Sequence, residues 1–164
     1  MTYLITFSCY GTHLHGSEQG SVDRRHNIHG HPGLEPDRGW RIKDRQRMAQ
    51  TRYLLDLVRA HAVVDAILET CSFRGWNLLA AHARTTHVHT VVEAEAAPEI
   101  VMNTLKSYAS RRLNISFEES RETRRWLRHG RTRYLWTRDD ISSAIRYVVE
   151  EQGASFALWV ATDF

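Results

Sequence analysis

Short blocks of apolar residues recur along the chain, and the spacing within each block predicts its secondary structure. Residues 3–10 are rich in Tyr, Ile, Phe and Thr, which predicts a β-strand. Apolar residues follow helical spacing from about 56 to 72, and Gly75 supplies a stop signal for that helix. Two β-rich blocks, 76–82 and 87–93, are separated by a few polar residues. They predict two strands joined as a hairpin.

The second half of the chain continues this alternation of helix and strand. Pro98 opens a predicted helix to about Leu113, and residues 132–136 predict another short strand. Thr137 can cap a last helix that runs to about Gln152, because its hydroxyl can accept from backbone N–H groups. The order of elements predicts an α+β sandwich, in which a mostly antiparallel sheet packs against helices on one face.

One long segment interrupts this pattern. Residues at about 16–42 are rich in Gly, Pro, Asp and His and show almost no apolar periodicity, which predicts an inserted loop. After it, residues 43–50 predict a short helix and 51–55 a short strand. The whole chain, 1–164, is therefore interpreted as a single domain that carries one insertion.

The composition narrows the class of protein. The 164 residues contain no apolar run near the roughly 20 needed to cross a bilayer, so we expect no contact with a membrane. The N-terminus is typical of a strand rather than of a signal peptide. Cys9 and Cys71 both have apolar neighbours, which favours reduced thiols in a cytoplasmic protein over a disulfide.

Arginine is concentrated in one stretch of the chain. The net charge is only +3, but the segment from Arg111 to Arg138 contains nine arginines against three glutamates. Trp126, Tyr134 and Trp136 are interleaved with them. Guanidinium groups suit phosphates and exposed rings suit stacked bases, so the stretch predicts contact with nucleic acid. The alternative is a solvated face whose rings turn into the core. The candidate DNA-binding residues are Lys106, Arg111, Arg112, Arg124, Arg125, Arg128, Arg131 and Arg133.

The segment His87-Val88-His89 lies in a predicted strand. Residues two apart in a strand point to the same face, so both imidazoles can converge on one ion. Imidazole is a common ligand of divalent transition metals. The chain has ten histidines, however, and two partly buried strand histidines are the alternative.

The last predicted helix carries a tyrosine and, one turn later, oxygen-bearing side chains. Glu151 is four residues after Tyr147 and shares its face, and Gln152 lies next to it. This face could complete a metal site begun by two histidines. A phenol is a poor nucleophile until a base or a metal ion assists it. The alternative is a core tyrosine followed by exposed polar residues.

Together these features resemble the single-tyrosine HUH transposases, which include the REP-associated tyrosine transposases and the IS200-like transposases. The family motif of histidine, bulky apolar residue and histidine matches His87-Val88-His89. The family's nucleophilic tyrosine lies on a later helix, the place that Tyr147 occupies. Residues 7–16 also resemble the first strand and loop of a transposase-like subgroup, so the resemblance spans nearly the whole chain.

The resemblance implies a role for each of these residues. His87 and His89 would be metal ligands for Mg²⁺ or Mn²⁺, and Tyr147 would be the nucleophile. The third ligand stays open, because helical geometry favours Glu151 while the family's frequent amide ligand favours Gln152. The implied fold is ferredoxin-like.

The implied activity is a metal-dependent endonuclease and strand transferase that acts on single-stranded DNA, with a hairpin or repeat as target. Attack by tyrosine would give a 5′-phosphotyrosine and a free 3′-hydroxyl, and rejoining would need no nucleotide cofactor. Relatives include monomers and dimers, and we expect a homodimer.

Several alternatives remain open at this stage. Tyr108 lies on a basic helix and could be the nucleophile instead. His13 and His15 form a second His-x-His, although contact with DNA or capping of the loop is the preferred reading. The protein could also bind hairpin nucleic acid without cutting it, or hydrolyse its substrate with a water activated at the histidine pair. His61 and His82 are interpreted as polar residues of the surface or core.

Overall fold

The computed structural model describes residues 1–12, 48–151 and 156–162 of the chain. The strands in these ranges are β1 (Thr2–Cys9), β2 (Asn77–Ala83), β3 (His87–Glu93), β4 (Trp126–Leu135) and β5 (Ala157–Val160). The helices are α1 (Leu57–Arg74), α2 (Pro98–Phe117) and α3 (Arg138–Val149). All paired strands are antiparallel, and they form one sheet in the order β4-β1-β3-β2-β5.

The elements from β1 to β4 follow the order β-α-β-β-α-β, and α3 and β5 come after them. With the strands ranked β4-β1-β3-β2, this is the ferredoxin-like arrangement. The predicted α+β class and the mostly antiparallel sheet are therefore confirmed.

Local sequence signals set the ends of two helices. The carboxylate of Asp56 accepts a hydrogen bond from the backbone N–H of Arg59 at 2.8 Å and caps α1. Gly75 ends α1 in the left-handed conformation, with φ 66°, as its stop signal predicted. At α3, Thr137 and Asp140 form a capping box in which each side chain accepts from the other's backbone N–H.

Helices cover both faces of the sheet, whereas the prediction had them on one face only. Ile5 and Phe7 of β1 enter the larger core, which α1 and α2 cover. On the other face, Ala144 and Val148 of α3 pack with Val91 of β3 in a second, smaller core. The apolar pattern of a helix shows that one side is buried but not which face of a sheet it meets, so this detail could not be read from sequence.

Alternation along β3 decides where its histidines lie. Val88 and Val92 belong to the larger core, while Val91 belongs to the core under α3. His87 and His89 are in phase with Val91, and they therefore lie on the face that α3 covers.

Some boundaries differ from the predicted ones. β4 begins at Trp126 rather than near 132, because its many exposed polar residues hide the strand from an apolar pattern. Residues 51–55 are not a strand, and α3 ends at Val149 rather than at Gln152. The short strand β5 was not predicted. The loop at about 16–42 lies outside the described residues, as does most of the predicted 43–50 helix.

Two further expectations can be compared with the structure. Among the described residues, no helix combines the length and apolar character that a bilayer crossing requires. Cys9 and Cys71 are both buried free thiols, and burial raises the pKa of each to about 12.

Candidate active site

The two histidines of β3 lie side by side on the α3 face of the sheet. The ring centroids of His87 and His89 are 4.7 Å apart, and their planes meet at 83°. His89 is 4% exposed, whereas His87 is partly open to solvent. The two imidazoles converge as the strand spacing predicts. His89 lies in the buried part of this face, and His87 lies nearer to solvent.

Each histidine has one ring nitrogen within hydrogen-bond distance of a threonine hydroxyl, and the two threonines are different. Thr6 Oγ1 of β1 lies 2.8 Å from His89 Nδ1, and Thr86 Oγ1 lies 3.0 Å from His87 Nδ1. A hydroxyl can donate or accept, so it can match the proton that each ring requires. With Nδ1 engaged, Nε2 is the nitrogen through which each ring would bind a metal ion.

Helix α3 brings Tyr147 to these histidines. Its ring centroid is 5.5 Å from that of His89, with the rings at 85°. Its neighbours Ala144 and Val148 are buried against the sheet, whereas Tyr147 is 37% exposed. Tyr147 therefore stands where the packed part of the helix meets solvent, and its phenol is accessible to a substrate on the histidine face.

The residues that the structure describes do not assemble a third metal ligand. In those ranges, no group of three or more His, Cys, Asp or Glu side chains could hold a metal ion. Glu151 is exposed just after α3, and Gln152 lies outside the described residues. The residues present fit a divalent ion in part, because two imidazoles converge there. The described residues add no third ligand beside them. The choice between Glu151 and Gln152 stays a prediction.

Arg84 also belongs to this face, although the sequence pattern does not single it out. Its backbone N–H donates to His87 O at 2.8 Å across the β2–β3 turn. Because His82 pairs with His89, continuing the register places Arg84 opposite His87 on the same face. Its Nη1 is buried and has no hydrogen-bond partner within the described structure. A buried donor is normally satisfied, and a phosphate oxygen would satisfy this one.

His82 anchors the end of α3 to the sheet. It is fully buried, with Nδ1 2.9 Å from Val148 O, and Phe156 N donates to its Nε2 at 3.4 Å. Burial lowers the pKa of His82, and the charge of nearby Arg84 lowers it further. A neutral ring that donates from Nδ1 and accepts at Nε2 satisfies both contacts. This contact joins β2 to Val148, the residue next to Tyr147.

Two arginines of β4 extend the face on the far side of β1. Thr6 of β1 pairs with His89 of β3 on one side and with Arg131 of β4 on the other. Leu4, two residues earlier in β1, pairs with Arg133 of β4. Residues paired across strands share a face of the sheet. Both arginines are exposed, so a row of imidazole, hydroxyl and guanidinium crosses three strands on one surface.

Two of the predicted DNA contacts are instead buried. Lys106 is 7% exposed, and its Nζ donates to the carbonyl oxygens of residues 127–129 at 2.9, 3.3 and 3.4 Å. Arg125 is 3% exposed and forms a salt bridge to Glu119 at 2.9 Å. Burial lowers the pKa of Lys106. Both cations hold β4 and the loop before it, and this structural role replaces the predicted contact with phosphate.

The other predicted contacts lie at the surface. Arg111, Arg124 and Arg128 are exposed. Arg112 is partly exposed and pairs with Glu69 of α1, which ties the two helices together. These side chains stay predicted DNA contacts, with Arg112 the least accessible of them.

Tyr108, the alternative nucleophile, lies away from the histidine pair. It is on α2, and the guanidinium of Arg111 lies over its ring at 5.2 Å. Since α2 packs on the opposite face of the sheet, Tyr147 rather than Tyr108 lies beside the histidines.

Comparison with known proteins identifies a family and a similar fold. Residues 40–152 match the family model described as IS200-like transposase. A solved REP-associated tyrosine transposase bound to a REP hairpin shares the fold, with a TM-score of 0.51 and 11% sequence identity. The match covers 90% of this chain but 63% of that chain, so this chain spans less than two thirds of that relative's length. None of the curated proteins matches significantly.

Proposed function

The chain belongs to the IS200-like transposases, and from that premise we propose that it cuts and rejoins single-stranded DNA through a covalent bond to Tyr147. The substrate we propose carries a hairpin, as does the DNA bound to the similar solved transposase. A protein that binds the hairpin without cutting it is the alternative, because the exposed arginines would serve either activity.

One observation carries the proposal. Tyr147 contacts His89 at 5.5 Å between ring centroids while remaining 37% exposed. Its neighbours Ala144 and Val148 are buried against the sheet, so the helix holds Tyr147 beside the histidines without burying it fully. Here the phenol borders the same face as His87, so a phosphate bound at that face comes within its reach.

The proposed reaction is a phosphoryl transfer. The phenolic oxygen of Tyr147 gives its proton to solvent and attacks phosphorus, and the bond from phosphorus to the 3′-oxygen breaks. The products are a 5′-phosphotyrosine and a strand whose 3′-oxygen has taken up a proton. Attack by a 3′-hydroxyl on the phosphotyrosine reverses these changes and restores the phenol. One phosphodiester replaces another, so no nucleotide cofactor is needed.

A divalent ion, Mg²⁺ or Mn²⁺, is part of the proposal. His87 and His89 would hold it together with an oxygen ligand, Glu151 or Gln152. When bound, such an ion supplies Lewis-acid stabilisation of charge on a phosphate oxygen. Thr6 and Thr86 would orient the two rings toward it.

The chain's own cations would hold the DNA backbone beside the histidines. Arg84 lies on one side of His87, and Arg131 lies on the other side of the face, beyond Thr6. Arginine suits this task, because its planar fork can donate two parallel hydrogen bonds to one phosphate. We propose that these two arginines bind the phosphates nearest to the cut.

The proposal is tested with labelled oligonucleotides that each carry a hairpin and single-stranded flanks. The full chain is incubated with them in Mn²⁺ or in a chelator, and the products are separated on denaturing gels. We expect label to migrate with the protein only when metal is present. His87→Ala should abolish this adduct, whereas His61→Ala, an exposed residue of α1, should leave it unchanged.

Other outcomes would redirect the assignment. Cleavage with multiple turnover and no adduct would replace the tyrosine mechanism by hydrolysis with an activated water. Tight binding without cleavage or adduct, across several metals and hairpins, would favour the binding protein.

A further inference from the structure

Two exposed aromatic rings stack on each other at the end of β4. The centroids of Tyr134 and Trp136 are 5.4 Å apart, and their planes are within 12° of parallel. Tyr134 is 44% exposed and Trp136 is 73% exposed. Trp126 differs, since it packs against Phe7 in the core and donates its indole N–H to Ser110. Large aromatic rings exposed to solvent lose the stabilisation that burial would give them. Exposed rings of this kind are typical of surfaces that bind a ligand.

The stacked pair is fixed by its neighbours. Tyr134 packs edge-on against the ring of Tyr3, which is 3% exposed, at 5.1 Å between centroids. The backbone N–H of Trp136 donates to the Asp140 carboxylate at 3.2 Å, as part of the contacts that cap α3. Because both rings are already held, a ligand that stacks on Trp136 need order little of the protein.

The two faces of β4 differ in charge near the aromatic pair. Arg131 and Arg133 lie on the face of β4 that α3 covers in the rest of the sheet, and both are exposed. The rings lie on the other face, where Tyr134 meets Tyr3 of the larger core. There the Glu99 carboxylate accepts from Thr132 and adds negative charge. Phosphate is favoured on the arginine side, and an uncharged ring is favoured beside the aromatic pair.

We propose that Tyr134 and Trp136 form a stacking site for an unpaired nucleobase. The DNA strand would run over the open edge of β4, with its backbone on the arginines and one base on the outer face of Trp136. The inference rests on the proposed action on single-stranded DNA, and it adds a base-binding site outside the histidine face.

The register of the sheet gives the distance of this site from the proposed cut. Tyr134 pairs with Tyr3, three residues along β1 from Thr6, and Thr6 pairs with His89. Tyr134 is therefore three residues along the strand direction and two strands across from His89, and each of these distances is on the order of 10 Å. The bound base therefore lies a few nucleotides from the scissile phosphate rather than next to it.

The test is a binding experiment that needs no cleavage. The probe is a labelled oligonucleotide of about 15 thymidines, since base stacking tolerates any sequence. We expect Trp136→Ala to weaken its binding by about ten-fold, the loss typical of one stacked base. Trp136→Phe keeps a flat ring and should retain most of the affinity. The thermal midpoints of both variants should match that of the wild type, because the ring is at the surface.

Two controls isolate stacking from charge and from general exposure. An oligonucleotide of equal length with abasic sites throughout keeps the phosphates, and wild type and Trp136→Ala should bind it equally. Phe73 is the matched protein control, because it is 76% exposed on α1 and also has an arginine, Arg74, near its ring. Phe73→Ala should leave binding unchanged.

Several results would overturn the inference. Equal affinity of wild type and Trp136→Ala for the thymidine probe would remove the stacking site while leaving the proposed function intact. An equal loss on the abasic probe would assign the effect to charge or fold instead. A change in sedimentation without a change in binding would make the rings a contact between two copies. Failure of the wild type to bind the thymidine probe while it binds a hairpin oligonucleotide would also overturn the inference, whereas failure to bind either DNA would defeat the proposed function.

Discussion

The contact between Thr6 and His89 shows how a single hydroxyl can prepare this site. Thr6 lies on the neighbouring strand, and its Oγ1 engages His89 Nδ1 at 2.8 Å. The hydroxyl fixes the orientation of a buried ring and determines which nitrogen faces a ligand. Such partners of a metal-binding histidine commonly affect metal affinity by about 10- to 100-fold.

Thr6→Val removes this hydroxyl and keeps the shape of the side chain. We expect the Mn²⁺ concentration for half-maximal adduct formation to rise by about ten-fold, because the His89 ring loses its orienting bond. Titrating Mn²⁺ in the adduct assay measures this shift. Thr6→Ser keeps the hydroxyl and should behave like the wild type. Identical metal dependence of Thr6→Val and wild type would contradict the assigned role.

Arg84 supports a second prediction for a single residue. Its buried Nη1 has no protein partner in the described part of the chain, and it lies opposite His87. Arg84→Ala should slow adduct formation by about a hundred-fold, in the range found for removing one donor to a reacting oxygen. Single-turnover rates measure the loss, and Arg74→Ala, at an exposed position of α1, is the control. An unchanged rate in Arg84→Ala would exclude it from the phosphate site.

Among the elements, β4 is shaped by a close approach that only glycine allows. A Cβ on Gly130 would come within 2.5 Å of both Met102 Sδ and the carbonyl oxygen of Thr6. The Thr6 oxygen belongs to the backbone of β1 and cannot rotate away. The same stretch of β4 has an irregular register opposite Phe7 to Cys9, where Lys106 binds three successive carbonyls. β4 is therefore held by tight packing against β1 and by one buried cation of α2.

Gly130→Ala tests this packing. We expect it to destabilise the fold by about 1–3 kcal/mol, the usual effect of an overpacked contact. It should also slow adduct formation, because Thr6 must shift. Gly75→Ala is the comparison, since nothing lies within 4 Å of its Cβ but its φ is +66°. It should cost about 1 kcal/mol through backbone strain alone and leave the reaction rate unchanged. Denaturant unfolding and the adduct assay distinguish the two, and equal rates in both variants would contradict the link to Thr6.

At the scale of the whole molecule, one partly buried carboxylate joins distant parts of the chain. Glu119 accepts hydrogen bonds from the Tyr53 hydroxyl at 2.8 Å, from Arg59 of α1 at 2.8 Å and from Arg125 before β4 at 2.9 Å. Burial raises the pKa of Glu119, but these donors outweigh it and the net pKa is lowered. Unfolding separates these groups, so the lowered pKa stabilises the folded state.

This linkage predicts a pH dependence. The stabilisation is fully present above the ordinary glutamate pKa of about 4.5 and is lost as pH falls through the lowered value in the folded state. Glu119→Gln should lower the free energy of unfolding by about 2 kcal/mol at pH 7 and flatten its decline below pH 4.5. Denaturant unfolding across pH measures both, with exposed Glu122→Gln as control. The same acid dependence in Glu119→Gln and wild type would show that other carboxylates control it.

Much of this architecture could be predicted because its signals are local. The stop at Gly75, the cap at Thr137 and the alternation around His87 depend only on residues nearby in the sequence, and the sequence predicts all three. The side of the sheet that α3 covers depends on tertiary packing, as does the burial of Lys106 and Arg125. A lysine that binds three carbonyls looks in sequence like any basic residue of a surface helix. Arg84 could be found only once the hairpin register was known.

The central claim is that Tyr147 forms the covalent bond to DNA, and mapping the attachment site tests it most directly. The adduct is trimmed with nuclease, digested with trypsin and analysed by mass spectrometry. After Arg146 the chain contains Tyr147 as its only tyrosine, and the tryptic peptide with Tyr108 also contains a single tyrosine, so the two are distinguished without ambiguity. We predict nucleotide mass on the Tyr147 peptide, and no adduct in Tyr147→Phe while Tyr108→Phe reacts normally. Nucleotide mass on the Tyr108 peptide, or an adduct that persists in Tyr147→Phe, would contradict the account.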